Sequence, residues 1–236
     1  MLEKFVKRLR RDARISYAQC GEDLIVDFAL RELSIAKPSY LDLGAHHPSY
    51  LSNTYLFYER GCHGVCVEPD PTLHSYIERV RKRDVCLNVG VGVSDAVSAN
   101  FYVMTTKTLN TFSKREAERY ESYGTQKIET ILQIPLLRVE QLIEKNFTKT
   151  PCFVSLDIEG LDFEIIKTFN FSRHRPEIFC IETITYTEDG TEEKVEELIE
   201  FMKARDYFVY ADTYINTIFV DRAAWRQRAA AQKSAP

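Results

Sequence analysis

Ser39-Tyr-Leu-Asp-Leu-Gly-Ala-His-His47 is the stretch that decides the fold. An apolar run ends on an acid, Asp42, and Gly44 two positions later lets the backbone turn tightly. A second apolar run, Gly64-Val-Cys-Val-Glu68, ends on another acid 26 positions after the first. Sheets that bind dinucleotides carry a ribose-binding acid about 20 residues beyond the first turn, so Glu68 stands at a separation suited to ribose hydroxyls. The G-x-G-x-x-G turn is missing, because Ala45, His46 and His47 follow Gly44. Cradling a pyrophosphate takes several close backbone N–H groups at a helix start, whereas this loop offers bulk and imidazoles. The expected cofactor therefore carries a ribose without a diphosphate, and S-adenosylmethionine fits.

The same alternation of apolar runs and amphipathic segments extends through the chain. Strands are expected at 40–43, 65–68, 85–89, 152–157 and 178–182, followed by a close pair at 207–211 and 215–220 that reads as an antiparallel hairpin. Helices are expected over 24–30, 51–60, 73–80, 139–145, 163–169 and 192–203, with Gly61 as the C-cap of the second. The result is an α/β fold, a Rossmann-like doubly wound sheet of seven strands with a C-terminal antiparallel hairpin. Residues 90–135 are less regular, with strands expected near 100–104 and 131–136 and a charged helix over 113–123. A connection this long reads as a substrate-binding insertion.

The 236 residues are 44% hydrophobic, which suits one domain, placed at 15–221. No apolar run reaches the ~18–20 residues of a membrane span. The charged N-terminus does not read as a signal peptide, so a cytoplasmic location is expected. The six cysteines, at 20, 62, 66, 86, 152 and 180, read as reduced thiols, and Cys62-x-x-x-Cys66 lacks the second pair a zinc site needs. Net charge is −4, yet residues 1–14 carry +4 and the tail 222–236 another +4, which leaves −12 on the body between them. Such a distribution speaks against nucleic acid as a partner. Leu2, Phe5, Val6 and Leu9 recur at helical spacing among the N-terminal bases. That helix either lies on the anionic inner face of a membrane or packs on the domain edge or a second copy of the chain.

The topology collects four acids, Asp42, Glu68, Asp157 and Glu182, along the carboxyl edge of the sheet. Asp42 and Gly44 would face the methionine part of the cofactor and Glu68 its ribose. Ser94 and Asp95 would reach the adenine edge, although a Val-Ser-Asp turn is also ordinary loop chemistry. Gln19 and Asp23 would close the pocket from the N-terminal side. Asn53, within Ser52-Asn-Thr54, offers an amide to the cofactor or acceptor, or simply caps a helix. Three readings stand for the chemistry. Asp157 and Glu182 hold Mg²⁺ or another divalent cation that acidifies a substrate hydroxyl. Alternatively His46, His47 or a carboxylate removes the proton without metal. In the third reading Asp157 only pairs with the cofactor's ammonium group. Asn110, in Leu109-Asn-Thr-Phe112, is the best-placed hydrogen bonder to an acceptor within the insertion.

Taken together, these motifs resemble the FkbM family of S-adenosylmethionine-dependent methyltransferases. The resemblance rests on Ser16-Tyr-Ala-Gln-Cys-Gly-Glu-Asp23, Leu41-Asp-Leu-Gly-Ala-His-His-Pro48, Ser52-Asn-Thr54 and Val67-Glu-Pro-Asp-Pro71. It continues through Leu109-Asn-Thr-Phe112, Ser155-Leu-Asp-Ile-Glu-Gly-Leu-Asp162 and Arg175-Pro176 before Ile181-Glu182, and runs from about residue 15 to residue 220. It implies a class I methyltransferase fold and O-methylation of a hydroxyl on a sugar or glycan, lipid-linked or free. The alternative acceptor is a polyketide-type natural product. The resemblance supports Asp42, Gly44 and Glu68 as cofactor contacts, and Asp157, Glu159 and Glu182 as residues of the transfer site. Where many members have Asn and Gly after Gly-Ala, this chain has His46 and His47, as in a His-His-Pro subgroup. Two rival readings are a nicotinamide-dependent oxidoreductase, which the missing glycine-rich turn disfavours, and a non-catalytic partner subunit that keeps the fold.

Overall fold

The computed structural model describes residues 13–158, 160–185 and 192–233. The expected basic helix within residues 1–14 falls almost wholly outside them. Helix α1 (Glu22–Glu32) leads into β1 (Tyr40–Leu43), and α2 (Tyr55–Glu59), β2 (Gly64–Val67), α3 (Pro71–Val80) and β3 (Val85–Leu87) follow. Next come β4 (Gly90–Val91), β5 (Ser98–Met104), α4 (Lys114–Ser122) and β6 (Ile128–Leu137). The chain continues through α5 (Val139–Asn146), β7 (Phe153–Leu156), α6 (Asp162–Thr168) and β8 (Ile178–Glu182). It closes with α7 (Glu196–Lys203), β9 (Tyr207–Asp212), β10 (Asn216–Asp221) and α8 (Arg222–Lys233).

Seven strands form the main sheet in the order β3-β2-β1-β7-β8-β10-β9. β1 runs parallel to both β2 and β7, β8 is parallel to β7, and β10 is antiparallel to its two neighbours. This is the class I methyltransferase sheet with its terminal hairpin, as the sequence implies, and the last strand slots between β8 and β9. The chain leaves β1 toward β2 on one side and returns as β7 on the other. That reversal opens a crevice at the carboxyl ends of β1, β2, β7 and β8.

Alternation along the strands sorts side chains between the two faces. Leu41, Leu43, Val65, Val67, Val154 and Leu156 pack on one face with residues of α5 and α6. Tyr40, Phe153, Ile178 and Cys180 pack on the other with α1 and with Phe57 of α2. Asp42 shares this second face, since its registered partners are Cys66 and Ser155. Six free thiols accompany this packing. No described helix is long and apolar enough to cross a membrane.

Residues 90–137 build a separate three-stranded sheet, β4-β6-β5, backed by α4 over a small core of Tyr102, Met104, Leu109, Ala117 and Tyr120. The expected strand at 85–89 ends at Leu87 because Gly90 and Val91 pair with Leu136 and Leu137 of this second sheet. The helix expected over 51–60 is confined to Tyr55–Glu59, because Leu51 has φ +52° and the Ser52 N–H donates to the Tyr17 carbonyl at 2.9 Å. Gly61 ends it with φ +85°. The helix expected from 192 begins at Glu196, because Lys194 bridges to Ile184 and the Val195 N–H donates to the Thr183 carbonyl. The tail after β10 is helical, with the Asp221 carboxylate accepting from the Ala224 N–H at 2.7 Å.

Candidate active site

Gly44 follows β1 where the chain abuts the end of β7, with the Asp157 N–H donating to the Leu43 carbonyl at 3.0 Å. Its φ is +84°, and a Cβ there would lie 1.8 Å from the Asp157 carbonyl oxygen, so no other residue fits without moving a strand end. The Gly44 and Ala45 N–H groups both donate to the Val67 carbonyl at 3.1 Å. The chain is thereby folded back onto β2, and the His46 N–H is delivered to Glu68 Oε2 at 2.8 Å.

A cavity of about 260 Å³ opens above these turns. Gln19, Gly44, His46, Glu68, Asp157 and Glu182 line it, all of them residues singled out from the sequence. An apolar side is made by Leu73, Val89, Val91, Phe101, Leu109 and Phe112. Glu68 accepts N–H groups from His46 and Asp70, both at 2.8 Å, yet burial still pushes its carboxyl up to about 7. Burial also raises Asp157 to about 7, with the neighbouring Asp162, Asp42 and Glu22 adding to the shift. Asp162, held by the Ile158 N–H at 3.0 Å, is pushed up to about 6 by burial. His46 has its pKa lowered by burial and then by His47, so its ring is neutral at pH 7.

Other expected site residues are turned elsewhere. Asp42 does not line the cavity: Thr54 donates to its Oδ2 at 2.5 Å and Arg81 lies 3.7 Å away, behind the sheet. The strand period decides this, because Asp42 is one pleat short of the turn and faces the α1–α2 side. Burial raises its carboxyl, while Arg81 and Thr54 pull it back down. His47 accepts from the Ser49 and Tyr50 N–H groups through Nδ1, at 3.1 and 2.8 Å. Its ring closes a turn and packs edge-on against Tyr76 rather than entering the cavity. Asp23 ties down the preceding segment, accepting from Ser16 Oγ at 2.6 Å and the Tyr17 N–H at 2.7 Å. Asn53 donates to Ser155 at 3.2 Å within the core. Ser94 and Asp95 are exposed; Asp95 pairs with Arg138 at 3.3 Å and does not reach the cavity. Glu159 lies outside the described residues. Among those residues no set of three His, Cys, Asp or Glu side chains gathers as a cation site.

Neither the insertion's apolar contribution nor the role of Asp70 stands out in the sequence. Asp70 caps α3, accepting from the Thr72 N–H at 2.8 Å, and also takes a hydrogen bond from Asn110 Nδ2 at 3.1 Å. The Asn110 Oδ1 accepts from the Met104 N–H at 2.8 Å. Asn110 therefore locks the insertion over the β2 turn and lines the cavity while doing so. Asp-Pro ahead of a helical pattern was the available signal for the cap. Gly90 was another legible marker, because a Cβ there would strike Phe112 at 2.3 Å.

These residues suit S-adenosylmethionine. The Gly44 cradle admits no side chain, Glu68 presents a buried carboxylate at the β2 end, and Asp157 is a half-buried acid with no basic partner among the described residues. The family model described as the Methyltransferase FkbM domain matches residues 42–209. No curated protein sequence matches the chain. Among solved structures, a TehB-like SAM-dependent methyltransferase from Corynebacterium glutamicum is similar at TM-score 0.42 and 9% identity, over 93% of this chain and 97% of that one. The O-methyltransferase from Bacillus cereus, in complex with SAH, aligns at 0.43 and 10% over 84% and 80%. A precorrin-6y C5,15-methyltransferase from Geobacter metallireducens aligns at 0.41 and 12% over 88% and 92%.

Proposed function

The chain belongs to the FkbM methyltransferase family, and from that premise we propose that it O-methylates a hydroxyl of a sugar or glycan. The supporting observation is Glu182, which stands at the end of β8 on the wall of the cavity that also holds Gly44, Glu68 and Asp157. S-adenosylmethionine bound there supplies an electrophilic methyl group on a good leaving group. Glu68 would accept hydrogen bonds from the ribose hydroxyls, and the Asp157 carboxylate would pair with the ammonium group. An ionised Asp157 favours a cationic cofactor, and the acidic wall favours an uncharged acceptor.

Glu182 takes the acceptor's hydroxyl proton as the oxygen–methyl bond forms and the sulfonium leaves as a neutral thioether. Holding acceptor and donor in line supplies most of the acceleration, and the proton transfer adds to it. His46, neutral at pH 7 and on the same cavity wall, is the second candidate base. A divalent cation held between Asp157 and Glu182 is the remaining reading, since both line one cavity.

Radiolabelled methyl transfer from S-adenosylmethionine to a panel of oligosaccharides tests the reading. Label on an oxygen-linked methyl of a sugar is expected, and its persistence in EDTA selects the proton-transfer route. Label confined to polyketide-type alcohols would overturn the sugar assignment.

A further inference from the structure

Beneath α4 lies a second cavity, of about 180 Å³. Glu182 and Ile184 line both cavities, so the two adjoin at the β8 end. The floor of the second is apolar, formed by Phe163, Val195 and Leu198, and its upper wall carries Glu116 and Arg119. The Glu116 carboxylate is nearly buried and is paired with Arg119 through Nη2 and with Arg115 at 3.3 Å. Arg119 Nε is buried and has no hydrogen-bond partner among the described residues. Folding seldom leaves such a donor unmet, and an acceptor brought by a ligand would relieve it once the partly exposed Arg119 side chain shifts to meet it.

The wall's charges narrow the ligand class. Glu116, Asp162 and Glu182 outnumber Arg115 and Arg119, and Glu116 already occupies the Nη2 edge of Arg119. An anionic ligand would meet repulsion there. A ligand with several hydroxyls would not: a hydroxyl oxygen accepts from Arg119 Nε–H, hydroxyl protons go to carboxylates, and a C–H face lies on Phe163.

We propose that this second cavity is the acceptor subsite, that it takes an uncharged polyhydroxyl ring, and that Arg119 reads one of its hydroxyls. Glu116 is a positioning residue that fixes the Arg119 fork. The proposal rests on the methyltransferase reading and adds to it the place and the charge preference of the acceptor. A ring seated there would present its hydroxyl to Glu182 at the junction with the first cavity.

Saturation-transfer NMR with the whole protein in excess S-adenosylhomocysteine tests this. The probes are methyl glycosides of uncharged hexoses and of the corresponding uronic acids, and cofactor-product affinity is followed separately by calorimetry. Uncharged glycosides are expected to bind. Arg119→Ala is expected to weaken them about tenfold or more while S-adenosylhomocysteine affinity stays within about twofold. Thr185→Trp, which fills the cavity from its rim and leaves Arg119 intact, is expected to do the same. Undiminished glycoside binding in both variants, or tighter binding of uronic acids, would overturn the subsite. Failure of S-adenosylhomocysteine to bind the unaltered protein would instead overturn the methyltransferase reading. Binding of S-adenosylhomocysteine without any glycoside would overturn the choice of a sugar.

Discussion

Buried carboxylates lie on both sides of β1, and the protein treats the two sets differently. Behind the strand, Asp42 and Asp84 share Arg81, a fully buried guanidinium 2.7 Å from Asp84 and 3.7 Å from Asp42. Tyr40 donates to Asp84 at 2.8 Å and Thr54 to Asp42, so every acid there has partners supplied by the chain. Around the crevice, the Glu68 and Asp162 carboxylates accept only backbone N–H groups among the described residues, and neither they nor Asp157 form an ion pair with a basic side chain there. Desolvation pushes all three carboxyls up, Glu68 to about 7, and no basic side chain among the described residues offsets it. The rear set carries its own cation and holds the fold, although Arg81 Nη1 makes no hydrogen bond among the described residues. The front set lacks positive charge, which a cationic cofactor would bring.

Breaking the rear set should cost stability first. Arg81→Ala strands two buried acids and is expected to lower unfolding free energy by about 3–5 kcal/mol, read from urea denaturation. The comparison fails if that variant keeps its stability and loses only cofactor affinity. Glu182→Gln should do the opposite: methyl transfer falls about 10²–10⁴-fold, the range for a lost general base, with S-adenosylmethionine affinity unchanged in calorimetry.

Asp157→Asn sharpens the contrast further. Desolvation and then the neighbouring Asp162 push the folded Asp157 carboxyl well above its ordinary value of 3.8. The cofactor-free protein therefore loses stability as pH rises from about 4 through 7, because the folded state holds the proton that the unfolded state has already released. Removing the charge should raise the melting temperature at pH 8 while weakening S-adenosylmethionine about tenfold. The smallest effect belongs to Asp95→Ala. Asp95 is exposed and pairs with Arg138 alone among the described residues, so stability should move by less than about 0.5 kcal/mol and cofactor affinity not at all. A loss of cofactor affinity in that variant would return Asp95 to the adenine edge.

Much of this was legible in the chain. The apolar runs and their spacing located all seven strands of the main sheet, and the strand-end positions of Glu68, Asp157 and Glu182 located the crevice. Asp42 was misplaced because an apolar run with an acid in it reads as ending there, whereas the pleat carries the strand one residue further and turns Asp42 to the rear. His47 was misplaced because adjacent histidines look equivalent in sequence; the backbone folds back on one ring and leaves the other on the cavity wall. Arg81 gave no local signal. Its role depends on partners 39 and 3 positions away, Asp42 and Asp84, which only the packed sheet brings around one guanidinium. The second cavity was illegible for the same reason, since α4 and the end of β8 are remote in sequence.

The front acids have no cation among the described residues until a cofactor brings one. Calorimetric titration of S-adenosylmethionine at pH 6 and pH 8 tests that most directly. With carboxyls titrating near 7, binding is expected to be about tenfold tighter at pH 8 and to release protons at pH 6. Equal affinity at the two pH values, with no proton release, would contradict it.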